Sequence, residues 1–427
     1  MDGSIRELMV YDGKLIAGGS FDSARGIEAK YIAAWDGLSW SPLGSGTDKS
    51  VNALTVYDGK LIAGGWFTTA GGFKAYGISA WGGSSWSPLG SGMGSYYPYV
   101  SVLTVYEGKL IAGGWFTTAG GVSAKYIAAW DRSSWSLLGS GMNGPVYALT
   151  VYDGKLIAGG EFTTAGGIEA NGIAAWDGSS WSPLGSGMGG DYPYVSVLTV
   201  YDGKLIAGGY FDTAGGVSAN CIAAWDGSSW SSLGSVIGGD NPYVGDLTVY
   251  DDKLIVGGNF NNAGGIEAYN IAAWDGTYWS PLGSGTDSSV YALTVYNGNL
   301  IAGGYFTTAG GKGAPYIASW TKKDTPTEIK QSSLPSTVRL SQNYPNPFNP
   351  ATTIGYDVPS QSRILLILYN VLGQSMRTLI DETQQPGSYR VTWDGTDQYG
   401  APVSMGIYFY RLQAGDHSET KKMLLLK

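Results

Sequence analysis

"VNALTVYDGKLIAGGWFTTAGGFKAYGISAWGGSSWSPLGSG", residues 51–92, divides into four short apolar runs. They are "VNALTVY", "KLIAGG", "GISAW" and "SWSPLG", and turn chemistry separates them. Asp58-Gly59, between the first two runs, is a hairpin signal, because Gly accepts the positive φ of a tight turn. The longer stretch "FTTAGG" is read as a loop between the second and third runs. The double glycine recurs at Gly18, Gly64, Gly113, Gly159, Gly208, Gly257 and Gly303, in steps of 46 or 49 residues. Four strands per unit at this period describe a β-propeller blade, with an open solenoid as the alternative. Phe67, Trp81 and Trp86 recur at constant offsets, and side chains of that size fill the space between twisted sheets. The reading is an all-β chain with a seven-bladed propeller over residues 1–320. The seventh unit stops at Trp320 without a fourth run, so the last blade is expected to lack one strand.

Composition agrees. The chain of 427 residues holds 68 Gly, 16 Trp and 30 Tyr against one His and one Cys. Residues 1–320 carry 14 Lys and Arg against 25 Asp and Glu. That acidic balance repels phosphate backbones, so nucleic acid is not an expected partner. The longest apolar run is "ILLILY", far short of a membrane span, so no transmembrane segment is expected. Cys221 alone cannot form an internal disulfide, which leaves the redox compartment open.

The pattern of apolar residues, double glycine and spaced aromatics, as in "LIAGG" and "AAWDGSSWSPLG", resembles the bacterial kelch-like repeat. Trp stands where kelch repeats carry Tyr, the gap between the two Trp residues is short, and "FTTAGG" is additional. The resemblance implies a propeller and carries over no eukaryotic partner.

Residues 321–337 are polar and rich in Lys, Thr, Ser and Pro, and read as a linker. Alternating runs follow, among them "TTIGYDV", "RILLILYN", "GSYRVTW" and "GIYFYRLQA", and predict an antiparallel sandwich of six or seven strands. With "NYPNPFNP", "YNVLGQ" and the closing "KKMLLLK", residues 338–427 resemble the C-terminal sorting domain of type IX secretion. That family is an immunoglobulin-like sandwich akin to the flagellar hook-capping module. The resemblance implies the type IX secretion machinery as partner and an extracellular or outer-surface location. Its motif residues are Asn343, Tyr344, Pro345, Asn346, Pro347, Phe348, Asn349, Pro350, Lys421, Lys422 and Lys427.

Catalytic chemistry has little to draw on. His417, the only histidine, lies in the tail, so the propeller can hold no His-based triad or His metal cluster. Cys221 is read as a buried, inert thiol. Most acids recur at turns, as do Asp58 and Asp177, which marks them as turn formers. "DGTDQYG" from Asp394 has oxygen donors at close spacing but no full calcium loop. No catalytic residue, metal or cofactor is expected. The charged residues that break the repeat are Glu161, Asp246 and the pair Arg6-Glu7.

Positions that vary inside the constant frame are the candidate ligand contacts. One set follows the double glycine: Ser20, Trp66, Trp115, Glu161, Tyr210, Asn259 and Tyr305. The other is a three-residue insertion between units, read as rim loops: "YYPY" with Tyr97 and Tyr99, "DYPY" with Tyr192 and Tyr194, and "DNPY" with Tyr243. Aromatic side chains there suit sugar rings or a peptide. The expected function is a secreted or cell-surface, non-catalytic binding module for a polysaccharide, glycoprotein or surface protein. A secreted Asp/Glu hydrolase or lyase, and a structural adhesin or surface-layer component, are the alternatives.

The opening "MDGSIRELMVYDGKLIAGG" aligns with "MNGPVYALTVYDGKLIAGG" from Met142, so Met1 falls inside the repeat. The alignment predicts that a longer exported chain supplies, upstream, the fourth strand for the last blade and a signal peptide.

Overall fold

Asp58 and Gly59 both take positive φ, 52° and 71°, the type I′ geometry that matches strand twist. The strand Val51–Tyr57 therefore folds back onto Lys60–Gly65, with Tyr57 opposite Lys60. Ile78–Trp81 pairs with the other edge of Lys60–Gly65, and Trp86–Pro88 pairs outside it, with Trp81 opposite Trp86. The two indoles pack at 5.3 Å between centroids. This computed structural model describes residues 1–95, 98–234, 237–321, 337–343 and 346–426. Among them the unit recurs as six four-stranded antiparallel sheets and a seventh of three strands, Val290–Tyr296, Asn299–Gly304 and Ile317–Trp320. The chain divides into two units, Met1–Lys322 and Lys323–Lys427.

The double glycine has two separate causes. A Cβ on Gly64 would lie 2.6 Å from Val100 Cγ1 of the next blade, so this glycine lets neighbouring blades close up. A Cβ on Gly65 would overlap the Ser50 carbonyl oxygen within its own blade. The same contact closes the ring: a Cβ on Gly303 of blade seven would lie 2.5 Å from Ile5 Cγ2 of blade one. Ile5, Leu8 and Leu15 share one apolar cluster with Ala292, Tyr296 and Ile301. First strands neighbour first strands all the way round, so they form the inner wall of a closed propeller.

The tyrosine ending six of the seven first strands reaches the next blade's hairpin. Tyr11 donates to the Gly59 carbonyl, Tyr57 to Gly108, Tyr106 to Gly154, Tyr152 to Gly203 and Tyr201 to Asp252, at 3.1–3.3 Å. Indole Nε1 groups make a second set of links. Trp86, Trp135, Trp181, Trp230 and Trp279 donate to the carbonyls of Leu43, Leu89, Leu138, Leu184 and Leu233 in the preceding blades. Because these bonds run between the hairpin ends of successive blades, the first-to-second strand hairpins lie on one face. The second-to-third strand loops and the connections between blades lie on the other.

Two segments differ from the sequence reading. "FTTAGG" is not a plain loop: Thr69–Ala70 pairs with Phe73–Lys74 around Gly71-Gly72, both at positive φ. The insertions are only partly loops: Tyr99, Tyr194 and Tyr243 are the first residues of the innermost strands. These strands begin early because each pairs directly with the last residue of the second strand.

The second unit packs a three-stranded sheet, Arg339–Leu340, Thr352–Val358 and Gly387–Trp393, against a four-stranded one of Ser375–Gln384, Ser362–Tyr369, Gly406–Ala414 and His417–Leu425. Ile354, Leu366, Trp393, Tyr410 and Met423 are among its fully buried core residues. It is a β-sandwich. The interior of the expected linker lies outside the described residues.

Candidate functional site

Every first strand carries a β-bulge near its start, for example between Val146 and Ala148 or Val290 and Ala292. A bulge places one extra residue out of the pairing and re-aims it. The seven extra residues are Arg6, Asn52, Ser101, Tyr147, Ser196, Gly245 and Tyr291. They lie beside the variable positions that follow the double glycine, on the face opposite the Asp-Gly hairpins. Sequence reasoning passed over all of them but Arg6. Their signal was the same, a variable residue at a fixed offset in a constant frame.

The two sequence-derived sets meet here. Tyr99 is directly opposite Trp115, Tyr194 opposite Tyr210, and Tyr243 opposite Asn259. Tyr99 and Trp115 stack at 6.5 Å, and Tyr194 and Tyr210 at 5.8 Å. Tyr147 connects them: it meets Tyr194 edge-on at 6.1 Å and donates to Glu161 Oε2 at 3.1 Å. The Tyr99 and Tyr147 hydroxyls are near enough to influence one another's titration. Trp115, Tyr99, Tyr147, Tyr194 and Tyr210 thus form one aromatic wall across blades three, four and five, with Glu161 as its acid. Burial raises the phenol pKa values of Tyr99, Tyr147 and Tyr194. These hydroxyls remain neutral donors and acceptors.

The other predicted positions are more separate. Trp66 is 45% exposed, and Lys49 Nζ lies 5.2 Å from its ring centroid, a cation–π contact. Tyr305 is 60% exposed and leans on Tyr316. Asn259 donates to the Asn241 carbonyl. Tyr192 is 86% exposed and projects from its insertion. It lines a cavity of about 360 Å³ with Glu161, Asn143, Asn171 and Met188. A second cavity, about 210 Å³, lies between Asp240, Asn259, Tyr269 and Asn270. Across the ring, the Arg6 guanidinium covers Tyr291 at 5.4 Å, and Tyr291 neighbours Tyr243. Tyr97 lies outside the described residues.

One step further along the strands stand two carboxylates, Glu7 and Asp246, where other blades have Ala53, Val102, Ala148, Val197 and Ala292. Asp246 accepts from its neighbour Leu247 N–H at 2.8 Å and from Leu293 N–H of blade seven at 2.6 Å. Burial pushes its pKa up to about 7 against the pull of those two donors. Burial, and then the Asp246 charge, raise Glu7 well above the usual carboxylate range. Other acids serve turns. Asp177 accepts from Ser179 N–H at 2.8 Å and Ser180 N–H at 2.7 Å, which lowers its pKa. Asp394 is held by Arg377 and by Thr396. The Cys221 thiol is buried and donates to the Pro242 carbonyl, and burial raises its pKa to about 11.

In the second unit the two ends of the expected sorting motif form one assembly. Asn346 Oδ1 accepts from Leu424 N–H, Phe348 N–H donates to the Leu424 carbonyl, and Leu426 N–H donates back to the Phe348 carbonyl. Phe348 is buried 5.4 Å from the Trp393 ring. Tyr410 Oη accepts from Asn343 N–H at 2.7 Å and donates to the Ser341 carbonyl at 2.9 Å. Pro347 is half-buried and Asn349, Pro350 and Lys422 are exposed, while Lys421 pairs with Glu419 at 3.5 Å. Tyr344, Pro345 and Lys427 lie outside the described residues.

A family model described as a domain of unknown function (DUF5122) β-propeller matches residues 108–128, 153–174 and 202–223. One described as the FlgD Ig-like domain matches residues 349–418. The chain therefore carries DUF5122 β-propeller repeats followed by a C-terminal FlgD Ig-like domain. Among solved structures, it resembles PorZ, an essential bacterial surface component of the type-IX secretion system of Porphyromonas gingivalis. The identity is 16% over all of this chain and 60% of that one, with a TM-score of 0.46. This chain thus spans 60% of the length of PorZ. A fungal alcohol oxidase of the AA5 family, in complex with copper, matches at 14% identity over all of both chains, with a TM-score of 0.47. No curated protein sequence matches the chain.

Proposed function

We propose that the protein is a secreted or cell-surface binding module without catalytic activity, exported by type IX secretion through its C-terminal domain. The observation that carries the reading is the continuous aromatic wall from Trp115 through Tyr99, Tyr147 and Tyr194 to Tyr210, with Glu161 beside it. Stacked, half-exposed rings with neutral hydroxyls offer flat apolar faces and edge hydrogen bonds, which is the chemistry that sugar rings match. The ligand class is a polysaccharide, a glycoprotein glycan or a glycosylated surface protein. Binding of the full chain to a glycan array and to extracellular polymer tests this. Trp115→Ala with Tyr210→Ala is expected to weaken binding at least tenfold, and Trp66→Ala with Trp115→Ala to weaken it also. Unchanged binding in both double variants would reject the face.

The export reading draws on the FlgD Ig-like domain and on the motif assembly around Phe348. Deleting residues 338–427 is expected to leave the protein inside a host with a type IX system. Appearance of the truncated chain in the medium would refute that.

The reading as an Asp/Glu hydrolase or lyase draws on Glu7 and Asp246, two carboxylates with raised pKa values. Both backbone donors at Asp246 fix it as a link between blades six and seven, which favours the non-catalytic reading. Turnover of chromogenic glycosides that disappears in Asp246→Asn would reverse this preference.

A further inference from the structure

Blade four departs from its neighbours at three positions that meet at one cavity. In blade three the Tyr126 N–H donates to the Phe116 carbonyl, and the Tyr126 ring meets Trp115 edge-on at 6.3 Å. In blade seven the Tyr316 N–H donates to the Phe306 carbonyl, and its ring leans on Tyr305 at 6.3 Å. The residue that makes the same bond in blade four, to the Phe162 carbonyl, is Gly172. It carries no ring, and the residue such a ring would lean on is Glu161. The cavity of about 360 Å³ lies here, with Gly172 and Glu161 in its wall. Its size falls in the range of small-molecule sites, roughly 300–1,000 Å³. The third change is Asn171, which also lines the cavity and stands where blades one and three carry Lys30 and Lys125. Blade two has a glycine too, Gly77, but the residue after its double glycine is Trp66, under the Lys49 ammonium.

Charge on this face sets blade four apart again. Lys49 caps Trp66 at 5.2 Å, and Arg6 caps Tyr291 at 5.4 Å. Among the described residues no Lys or Arg covers a ring of the wall from Trp115 to Tyr210, and none pairs with Glu161. Glu161 accepts from the Tyr147 hydroxyl with Oε2, which leaves Oε1 as an acceptor. Asn171 Nδ2 donates to Glu169 Oε1 at 3.0 Å and to the Ser186 carbonyl at 3.2 Å, which leaves Oδ1 as another. A carboxylate, an amide oxygen and uncapped ring faces are complementary to a cation.

Resting on the reading of the wall as a sugar-binding face, we propose that the blade-four cavity takes a sugar unit with a protonated primary amine, so that the protein selects glycans containing free hexosamine. The ammonium donates to Glu161 Oε1 and Asn171 Oδ1, and neighbouring units stack along the wall. N-acetylation of the amine removes its charge and leaves one N–H donor in place of three. The acetylated glycan therefore keeps the stacking and loses the ion pair.

Calorimetry of the full chain with a glucosamine hexasaccharide, and with the same hexasaccharide fully N-acetylated, tests this in mildly acidic buffer where the amines are charged. The glucosamine form is expected to bind about tenfold or more tightly, the scale of a hydrogen bond to a charged group. Glu161→Gln retains an acceptor for Tyr147. It is expected to erase that preference and to leave the affinity for the acetylated form unchanged. Equal affinity of the parent chain for both forms would overturn the amine and leave the sugar-binding face standing. A preference that survives in Glu161→Gln would overturn the site, since the acidic propeller as a whole would then attract the amines. Binding of neither form would overturn the proposal, and the glycan array then decides the sugar reading separately. A lysine peptide that binds through Glu161 when neither hexasaccharide does would overturn it in favour of a protein ligand.

Discussion

Tyr296 donates its hydroxyl to the Gly13 carbonyl at 3.2 Å, joining the last innermost strand to the first hairpin across 283 residues. It is the final member of a series that runs from blade to blade. The series has one gap: Tyr250 Oη is buried without a partner among the described residues. Tyr296→Phe is therefore expected to lower stability by about 1 kcal/mol, since it removes a made hydrogen bond and orphans the Gly13 carbonyl. Tyr250→Phe is expected to be neutral or slightly stabilising. Paired thermal melts decide this, and equal losses in both variants would sink the distinction.

Gly303 and Ile5 make the apolar half of the same closure. Gly303→Ala forces its new methyl into Ile5 Cγ2 and is expected to cost about 1–3 kcal/mol as an overpacked site. Ile5→Ala alone should also destabilise, by leaving a cavity. Together the two changes are expected to cost less than their sum, because the methyl of one occupies space freed by the other. Additive losses in a denaturant double-mutant cycle would show that the blades do not meet at this pair.

The carboxylates on the inner strands give a signed pH dependence. Glu7 and Asp246 have raised folded-state pKa values, so the folded chain retains protons that the unfolded chain releases. Their stabilising contribution is complete below the ordinary carboxylate pKa. It declines as pH rises from about 4 through about 7, the value at Asp246, and further for Glu7. Glu7→Gln mimics the neutral acid at every pH. It is expected to match the parent chain near pH 4 and to exceed it increasingly towards pH 8. Each tenfold difference in proton affinity between the folded and unfolded chain is worth about 1.4 kcal/mol. A difference between the two melting curves that stays flat over this range would rule the buried acid out.

The repeat made the propeller legible because each blade obeys the same local chemistry: a type I′ turn at Asp58-Gly59, a tight contact at Gly64, paired indoles at Trp81 and Trp86. That the seventh sheet has three strands among the described residues was legible for the same reason. The wall around Tyr147 was less so. Tyr99 and Trp115 lie sixteen residues apart, and only strand register makes them neighbours. A bulge shifts that register by one residue, and nothing in "VYALTVY" announces it, so Tyr147 read as an ordinary strand residue. Glu7 and Asp246 stood out in sequence as charges that break the repeat. Their coupling, however, needed ring closure to bring blades one, six and seven together.

In the C-terminal domain, sequence reading found two motif ends without saying that they touch. Tyr410 supplies the test. Its hydroxyl satisfies both Asn343 N–H and the Ser341 carbonyl inside the core, holding the segment before Phe348 against the four-stranded sheet. Tyr410→Phe keeps the buried ring and removes both bonds, leaving a buried donor and acceptor unmet. The expected cost is about 1–3 kcal/mol, confined to the second unit. Phe348→Ala removes a buried ring against Trp393 and is expected to cost about 3–5 kcal/mol. The two sites share one assembly through Leu424 and Leu426, so Phe348→Ala should also accelerate amide exchange at both residues, whose N–H groups bond to Asn346 and Phe348. Exchange at Leu424 and Leu426 that stays at the parent rate in Phe348→Ala would mean that the final strand holds its place without the motif.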